Sequence, residues 1–412
     1  MPMQFRDYQK DIIIQGIKKL SKLRIIMLAM EVRTGKTLTS LGIASHMNID
    51  SVLFITKKKA ISSIEKDYNL LQPNYPIKVI NFESVHKVDA NDYDLVIVDE
   101  SHSLGAFPKP SLRTKRIKEI VANKYCILLT GTPTPESWSQ IYHQFWISQY
   151  SPFPQKSFYG WAKGYVNVTK RKINGYDVND YSNANYNLIY QKVSKHIISF
   201  SQSEAGFTSK VNEHILHVTM KPSTYELVRR VEKDLVYEGV NGGVILADTP
   251  IKMMQKVHQI YSGTIKLEDG TSTIIDDSKG VFIKNRFKDK IAIFYKFKEE
   301  LKLLQSVFGD RLTTSLNEFN KTDKNIALQI VSGREGISLS KAKYLVYFNI
   351  DFSATSYWQS RDRLTTKERM QNDVYWIFSK GGLEDKIYKQ VQDKKSFTTT
   401  HYDRSKVSKQ NH

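Results

Sequence analysis

IIMLAMEVRTGKTLTSLGIASH, residues 25–46, is the stretch that decides the fold. Residues 25–29 form a short apolar run, Thr34-Gly35-Lys36-Thr37 is the polar turn it leads into, and residues 38–46 read as the following helix. Strand, loop and helix in that order form the setting in which backbone N–H groups converge on a phosphate. A triphosphate needs those N–H groups, a cation on its β/γ phosphates and a hydroxyl on its Mg²⁺. Gly35, Lys36 and Thr37 offer these in order, with Thr34 opening the turn. Met30 stands where the general G-x-x-x-x-G-K-[ST] pattern has its first glycine, so the loop alone does not separate a phosphate site from a chance turn.

Working outward, residues 7–22 carry a helical stripe of Ile13, Ile14, Ile17 and Leu20. Short apolar runs recur at 52–55, 79–80, 95–98 and 126–129, each separated by polar or helical sequence. That alternation is the signature of a parallel sheet, whose functional loops lie at the carboxyl ends of the strands. The run 95–98 ends in Asp99-Glu100. Asp99 is suited to hold Mg²⁺, directly or through water, and Glu100 to polarise an attacking water. The competing reading is an exposed acidic turn, which loses ground once the upstream loop is paired with it. Cys126, the one cysteine, lies in the run CILL; it excludes an intrachain disulfide and reads as a buried structural thiol.

The chain of 412 residues exceeds what one core usually serves, so two or three domains are expected. A second α/β series begins near 290, with strands at 291–295, 326–331, 344–348 and 374–378 and helices at 298–307, 354–363 and 383–391. Between the two series, residues 151–280 are rich in aromatics, with a strand at 214–218, a helix at 224–237 and a hairpin at 267–275. The expected division is 1–150, 151–280, 281–395 and a basic, mobile tail at 396–412. Lysine plus arginine minus aspartate plus glutamate is 61 − 42 = +19, which points to a polyanionic partner, nucleic acid first and an anionic membrane surface second. Apolar stretches such as 25–30 are too short to span a bilayer, and the start MPMQFRDYQK has no apolar core, so a soluble, cytoplasmic protein is expected.

Asp99-Glu100-Ser101-His102 resembles motif II of the superfamily-two helicases, and Leu129-Thr130-Gly131-Thr132-Pro133 resembles motif III of their Swi/Snf-like branch. Phe5-Arg6-Asp7-Tyr8-Gln9 looks like the N-terminal Q-motif, Ile55-Thr56-Lys57-Lys58 like motif Ia, and Asn81-Phe82-Glu83-Ser84 like the next block. KIAIFYKF (290–297) resembles motif IV, SGREGISL (332–339) motif V, and QSRDR (359–363) motif VI; Ser379-Lys380-Gly381 to Lys386 resembles the closing block. The resemblance covers about residues 3–392, and the order of the blocks is more specific than any one of them.

The resemblance implies an α/β fold of two RecA-like parallel-sheet lobes with an aromatic-rich, largely helical bridging region, of a compact bacteriophage or bacterial type. It implies ATP and Mg²⁺ as cofactors. Lys36, Asp99, Glu100 and Arg363 would be catalytic, and Gln9, Thr34, Gly35, Lys36, Thr37 and Arg361 would bind nucleotide, Gln9 reading the adenine edge. Thr37 and Asp99 would hold the metal, and Lys57, Lys58, Ser332 and Arg334 would grip a nucleic-acid backbone. His102, Thr130, Gly336 and Gln359 would couple the two sites. The implied activity is an ATP-driven DNA translocase or helicase in replication, recombination or repair, acting on duplex, forked or branched DNA, with RNA left open and the oligomeric state open, a monomer favoured. Two departures stand out: Thr366 replaces the family's second motif VI arginine, for which Arg361 and Lys367 are the candidate substitutes, and Arg33 stands where many members have glycine. They are the evidence for the alternative, a nucleotide-dependent clamp or switch with slow turnover, against which intact Lys36, Asp99, Glu100 and Arg363 argue. The basic run 109–118 is a second candidate contact, Lys170-Arg171-Lys172 a candidate basic loop, and the aromatics of 151–280 either stack on bases or pack a subdomain.

Overall fold

The computed structural model describes residues 4–173, 176–206, 210–234, 236–238, 244–247, 249–330, 339–353, 360, 364 and 371–392. They form two compact units, Met1–Phe207 and Thr208–Asp393. The expected helix at 354–363 and the tail at 396–412 lie outside the described residues, apart from Ser360.

Unit one is built on a six-stranded sheet of order β3-β2-β4-β5-β1-β8. Its strands are β1 (Ile25–Met30), β2 (Val52–Thr56), β3 (Ile77–Asn81), β4 (Leu95–Val98), β5 (Tyr125–Thr130) and β8 (Ile197–Phe200). Every pairing in it is parallel. A sheet covered on both faces needs apolar residues at every position, which is why these strands read as continuous runs rather than as alternations. Ile25, Met27 and Ala29 of β1 join Val96, Val98, Cys126 and Leu128 in one core. Ile26, Leu28 and Met30 join Leu95, Ile97, Ile127 and Leu129 in the other. Helices α1 (Asp7–Leu23), α2 (Lys36–Ser45) and α3 (Ile61–Leu71) are followed later in the unit by α4 (Leu112–Val121), α5 (Gln140–Trp146), α6 (Phe158–Tyr165) and α7 (Tyr186–Val193). Between α6 and α7 runs an antiparallel ribbon, β6 (Thr169–Ile173) and β7 (Tyr176–Asp180).

Unit two repeats the plan, with sheet order β15-β16-β14-β17-β18-β9, again parallel throughout. Its strands are β9 (Lys210–Val218), β14 (Ile291–Tyr295), β15 (Leu312–Thr313), β16 (Asn325–Gln329), β17 (Tyr344–Tyr347) and β18 (Gln371–Ser379). A small satellite core, with Val228, Val231, Val257 and Ile260, unites α8 (Pro222–Asp234) and α9 (Pro250–Tyr261). Two short ribbons stand beside it, β10 (Val236–Glu238) with β11 (Val244–Leu246) and β12 (Thr264–Lys266) with β13 (Ser272–Ile274). The last is the hairpin expected around Asp269-Gly270, where Gly270 takes φ +86°.

Residues 151–280, read from sequence as one bridging region, divide between the units: β8 closes the first sheet and β9 edges the second. In it, helices alternate with antiparallel ribbons. The helix expected to run to residue 237 spans Pro222–Asp234, and Val236–Glu238 form β10 instead. Among the described residues no helix is long and apolar enough to cross a membrane.

Candidate functional site

Parallel strands deliver all their carboxyl ends to one edge of a sheet, so the loops after β4, β5 and β1, three adjacent strands, meet there whatever their distance in sequence. These loops carry DESH, TGTP and TGKT.

The loop after β1 is held from several sides. Thr34 is buried, its Oγ1 donating to the Glu31 carbonyl at 2.7 Å. Gly35 takes φ +80°, the left-handed region that glycine enters without strain, and opens α2 as its N-cap. Lys36 Nζ donates to the carbonyls of Met30 (2.9 Å) and Glu31 (3.2 Å). It also lies 3.7 Å from where a Cβ on Gly131 would stand. Thr37 is half-buried on the first turn of α2. Gln9 is buried; its Oε1 accepts from Arg6 N at 3.0 Å and its Nε2 donates to the Gly35 carbonyl and Thr39 Oγ1, both at 3.4 Å. Tyr8 donates its hydroxyl to the Thr34 carbonyl (3.1 Å) and stacks on Phe200, ring centroids 4.6 Å apart.

The loop after β4 carries the charge. Asp99 Oδ2 accepts from Thr56 Oγ1 at 2.9 Å and its Oδ1 from Glu100 N at 3.0 Å. Burial, then the neighbouring Glu100 carboxylate, push the Asp99 carboxyl up to about 6, against the opposing effects of Thr56 and Lys36. Glu100 takes φ +50°, a left-handed conformation that costs a non-glycine residue energy and turns the chain sharply away from the strand. His102 Nδ1 lies 3.2 Å from both Glu100 Oε2 and Thr130 Oγ1, and Thr130 Oγ1 in turn accepts from Thr132 N at 3.1 Å. DESH and TGTP are therefore in direct contact.

Of the sequence-derived site residues, the structure brings Gln9, Thr34, Gly35, Lys36, Thr37, Asp99, Glu100, His102 and Thr130 to this one region of unit one. Lys57 and Lys58 follow β2 at the same sheet edge, Lys57 half-buried and Lys58 exposed. Ser332, Arg334, Gly336, Gln359, Arg361 and Arg363 lie outside the described residues, as do Thr366 and Lys367. In the run 109–118, Arg113 and Arg116 pair with Glu83 (3.2 Å) and Glu119 (2.6 Å). Lys118 donates to the Trp146 carbonyl at 2.6 Å and caps its ring. Those three cations brace α4 and its neighbours. Most of the aromatics between 151 and 190 pack: Phe153, Phe158, Trp161 and Tyr165 are buried in the core beside Trp138 and Tyr142. Cys126 is buried as expected, its thiol pushed up by desolvation. Among the described residues no cluster of His, Cys, Asp and Glu has the makings of a three-ligand metal site.

Sequence reading missed two supports. Gln144 on α5 accepts from Ser101 Oγ of DESH (3.0 Å) and donates to the Pro133 carbonyl of TGTP (2.7 Å), tying the two loops by one buried amide. Gln202, just beyond β8, donates from its N to Glu31 Oε2 (2.7 Å) and from its Nε2 to the Val32 carbonyl (2.9 Å). With Glu31 N donating to the Phe200 carbonyl at 2.9 Å, the phosphate-type loop is braced from the sheet's last strand. Neither glutamine belongs to a recognisable motif, so only the fold reveals them.

The fold thus defines a class: an α/β protein of two units, each a six-stranded parallel sheet, as expected for two RecA-like lobes. No family model matches the chain, and no curated protein does. Among solved structures, the chain is similar to the Sulfolobus solfataricus SWI2/SNF2 ATPase core in complex with dsDNA, at 16% identity and a TM-score of 0.42, covering 97% of this chain and 92% of that one. The same organism's SWI2/SNF2 ATPase core domain gives 16% identity and a TM-score of 0.39, covering 97% and 91%.

Proposed function

We propose that this chain is an ATP-dependent DNA motor, a translocase or helicase that couples hydrolysis to movement on or remodelling of DNA. The observation that carries the reading is the meeting of three loops: Lys36 beside Gly131, Asp99 and Glu100 at the end of β4, and His102 bridging Glu100 to Thr130. A cation, an acid pair and a polar relay at the carboxyl edge of a parallel sheet are what phosphoryl transfer to water requires. Gly35, Lys36 and the first turn of α2 would cradle the phosphates, and Gln9 would read the adenine edge from α1. Glu100 would orient the attacking water, and Arg363 would stabilise charge on the transferring group, with Arg361 assisting.

Mg²⁺ suits the residues present. Asp99, desolvated beside a second carboxylate and raised to about 6, gains from a divalent cation that offsets that repulsion. Thr37 and Asp99 would hold it, and it would neutralise charge on the β/γ phosphates. Lys57, Lys58, Ser332 and Arg334 would track a phosphate backbone, while His102, Thr130, Gly336 and Gln359 would link nucleotide state to that grip.

A nucleotide-dependent clamp with slow turnover is the second reading. It is favoured by Thr366 at the second motif VI position and by Arg33 at φ +65°, a side chain held where glycine sits without strain. Steady-state ATPase with single-stranded, duplex and forked DNA and with RNA separates the two. Strong stimulation by one of them is expected of a motor; nucleotide-dependent binding without stimulation would establish the clamp.

A further inference from the structure

The ribbon β6–β7 pairs only with itself among the described residues. Its register sets Lys172 opposite Asp177, Arg171 opposite Val178 and Lys170 opposite Asn179. Strand alternation therefore places Arg171, Tyr176 and Val178 on one face and Lys170, Lys172 and Asp177 on the other. Tyr176 is 78% exposed and Val178 45%, although the aromatics just before the ribbon are buried. A two-stranded ribbon is marginal by itself, so keeping a tyrosine and a valine in water on it calls for a partner. Arg171 on the tyrosine's own face, with Lys170 and Lys172 on the other, specifies the partner's chemistry: a ring to stack on a base, and guanidinium and ammonium groups for the phosphates of a strand that wraps the ribbon. Arg171 pairs with the half-buried Asp180, and Lys170 reaches Asp177 at 3.8 Å; both cations are themselves solvent-exposed and therefore open to a polyanion.

The base of the ribbon is mounted on the segment that carries TGTP. Ser137 Oγ donates to the Ser182 carbonyl at 2.6 Å, and Ser139 Oγ to the Tyr181 carbonyl at 2.5 Å, both serines being buried. That segment leads back to Pro133, and through Gln144 to Ser101 of DESH. Hydrogen bonds at both ends, joined by the backbone between Pro133 and Ser139, thus link the acidic loop to the foot of the ribbon.

We propose that β6–β7 is a nucleic-acid contact element: Tyr176 stacks on an exposed base of single-stranded or junction DNA, Lys170, Arg171 and Lys172 meet its phosphates, and the mount transmits this contact to the loops after β4 and β5. The inference rests on the motor reading only in taking nucleic acid as the partner.

The test uses the full chain with Tyr176→Ala and, separately, the double change Lys170→Glu with Lys172→Glu. All three positions are exposed, and circular dichroism with thermal melting verifies that both variants fold. Binding to a labelled fork with single-stranded arms and to a blunt duplex is titrated over a range of salt, together with DNA-stimulated ATPase. Tyr176→Ala should weaken fork binding by about tenfold and leave the blunt duplex unchanged. The double variant should weaken both and reduce the salt slope by about two. If either variant binds the fork as the parent does, the ribbon assignment falls while the motor reading stands. A parent chain that binds no nucleic acid overturns both.

Discussion

Replacing Gly35 and Gly131 by alanine, one at a time, tests the geometry of the phosphate-type loop against the geometry of the loop facing it. Gly35 takes φ +80°, and a Cβ there would stand 2.5 Å from Gln9 Nε2. Holding an L-residue in the left-handed region costs about 1–2 kcal/mol. The steric conflict is with the end of a side chain, so Gln9 can retreat, forfeiting its two long hydrogen bonds of 3.4 Å. Gly35→Ala should therefore destabilise unit one by about 2 kcal/mol, a melting shift of roughly 4–8 °C for a unit of this size. If the loop relieves the strain by leaving the left-handed region, its N–H groups turn from the phosphates, and nucleotide affinity should fall by about tenfold for each 1.4 kcal/mol lost. Gly131 is different: a Cβ there meets Met30 O at 3.5 Å, Val32 N at 3.6 Å and Lys36 Nζ at 3.7 Å, all ordinary contacts. Gly131→Ala should leave stability within about 0.5 kcal/mol of the parent while crowding Lys36. Urea unfolding and titration with a fluorescent ATP analogue measure both quantities. A Gly35→Ala protein as stable and as tight-binding as the parent would refute the left-handed loop. A Gly131→Ala protein destabilised by more than about 2 kcal/mol would refute the spacing.

Lys36→Ala should abolish hydrolysis, whereas Glu100→Gln should retain nucleotide binding and lose turnover; near-normal rates in either would remove that residue from its role. Gln202→Ala, which removes the Nε2 donor from the Val32 carbonyl but keeps the backbone N–H on Glu31 and does not touch the nucleotide directly, should raise KM for ATP more than it lowers kcat, with partial recovery in Gln202→Asn; equal loss in both parameters would mark it as merely structural. His143 is buried, donates from Nδ1 to the Ala106 carbonyl at 2.7 Å and is pushed down to about 4, chiefly by desolvation. Because its folded value lies below the unfolded 6.5, stability is complete above about pH 6.5 and declines as pH falls towards 4. By pH 5 the loss from this group is at most about 2 kcal/mol. Urea titrations at pH 7 and pH 5 should show a smaller difference in His143→Gln than in the parent, and an unchanged difference would exclude His143 as a source.

The first sheet was legible because burial on both faces writes itself into sequence: VLFIT, LVIV and CILLT need no context to be read as buried parallel strands. TGKT, DESH and TGTP were legible for a second reason, since their chemistry demands small, charged and hydroxyl residues at strand ends, where apolar ones would otherwise continue. Neither reason extends to β8. Ile197–Phe200 is four residues long with Ser199 inside it, and it earns a place in the sheet only by pairing with Met27–Met30. The strand at 214–218 was legible, but β9 is half-exposed along most of its length, which suits an edge strand and obscures its membership of a parallel sheet. With β8 unread and β9 read only as an isolated strand at 214–218, residues 151–280 look like one region, whereas they hold the close of one sheet and the start of the next.

Residues that connect motifs are harder to read than the motifs, because their chemistry is generic and only their position is special. Gln144 lies in the helix QIYHQFW, where an amide among aromatics suggests nothing. Once Ser101 and Pro133 stand on either side of it, its carbonyl and amine ends satisfy one loop each, and an alanine there would leave a buried hydroxyl and a buried carbonyl without that partner. Leaving such groups unpaired costs about 1–3 kcal/mol apiece. The contact between DESH and TGTP therefore has two independent supports, His102 to Thr130 at the front and Gln144 behind. If the rear support alone transmits between the acidic loop and the β6–β7 ribbon, Gln144→Leu should preserve basal ATPase and lose its response to forked DNA, whereas His102→Ala should impair the response to every DNA. Equal stimulation of Gln144→Leu and parent by the fork would show that the two loops communicate through His102 and Thr130 without it.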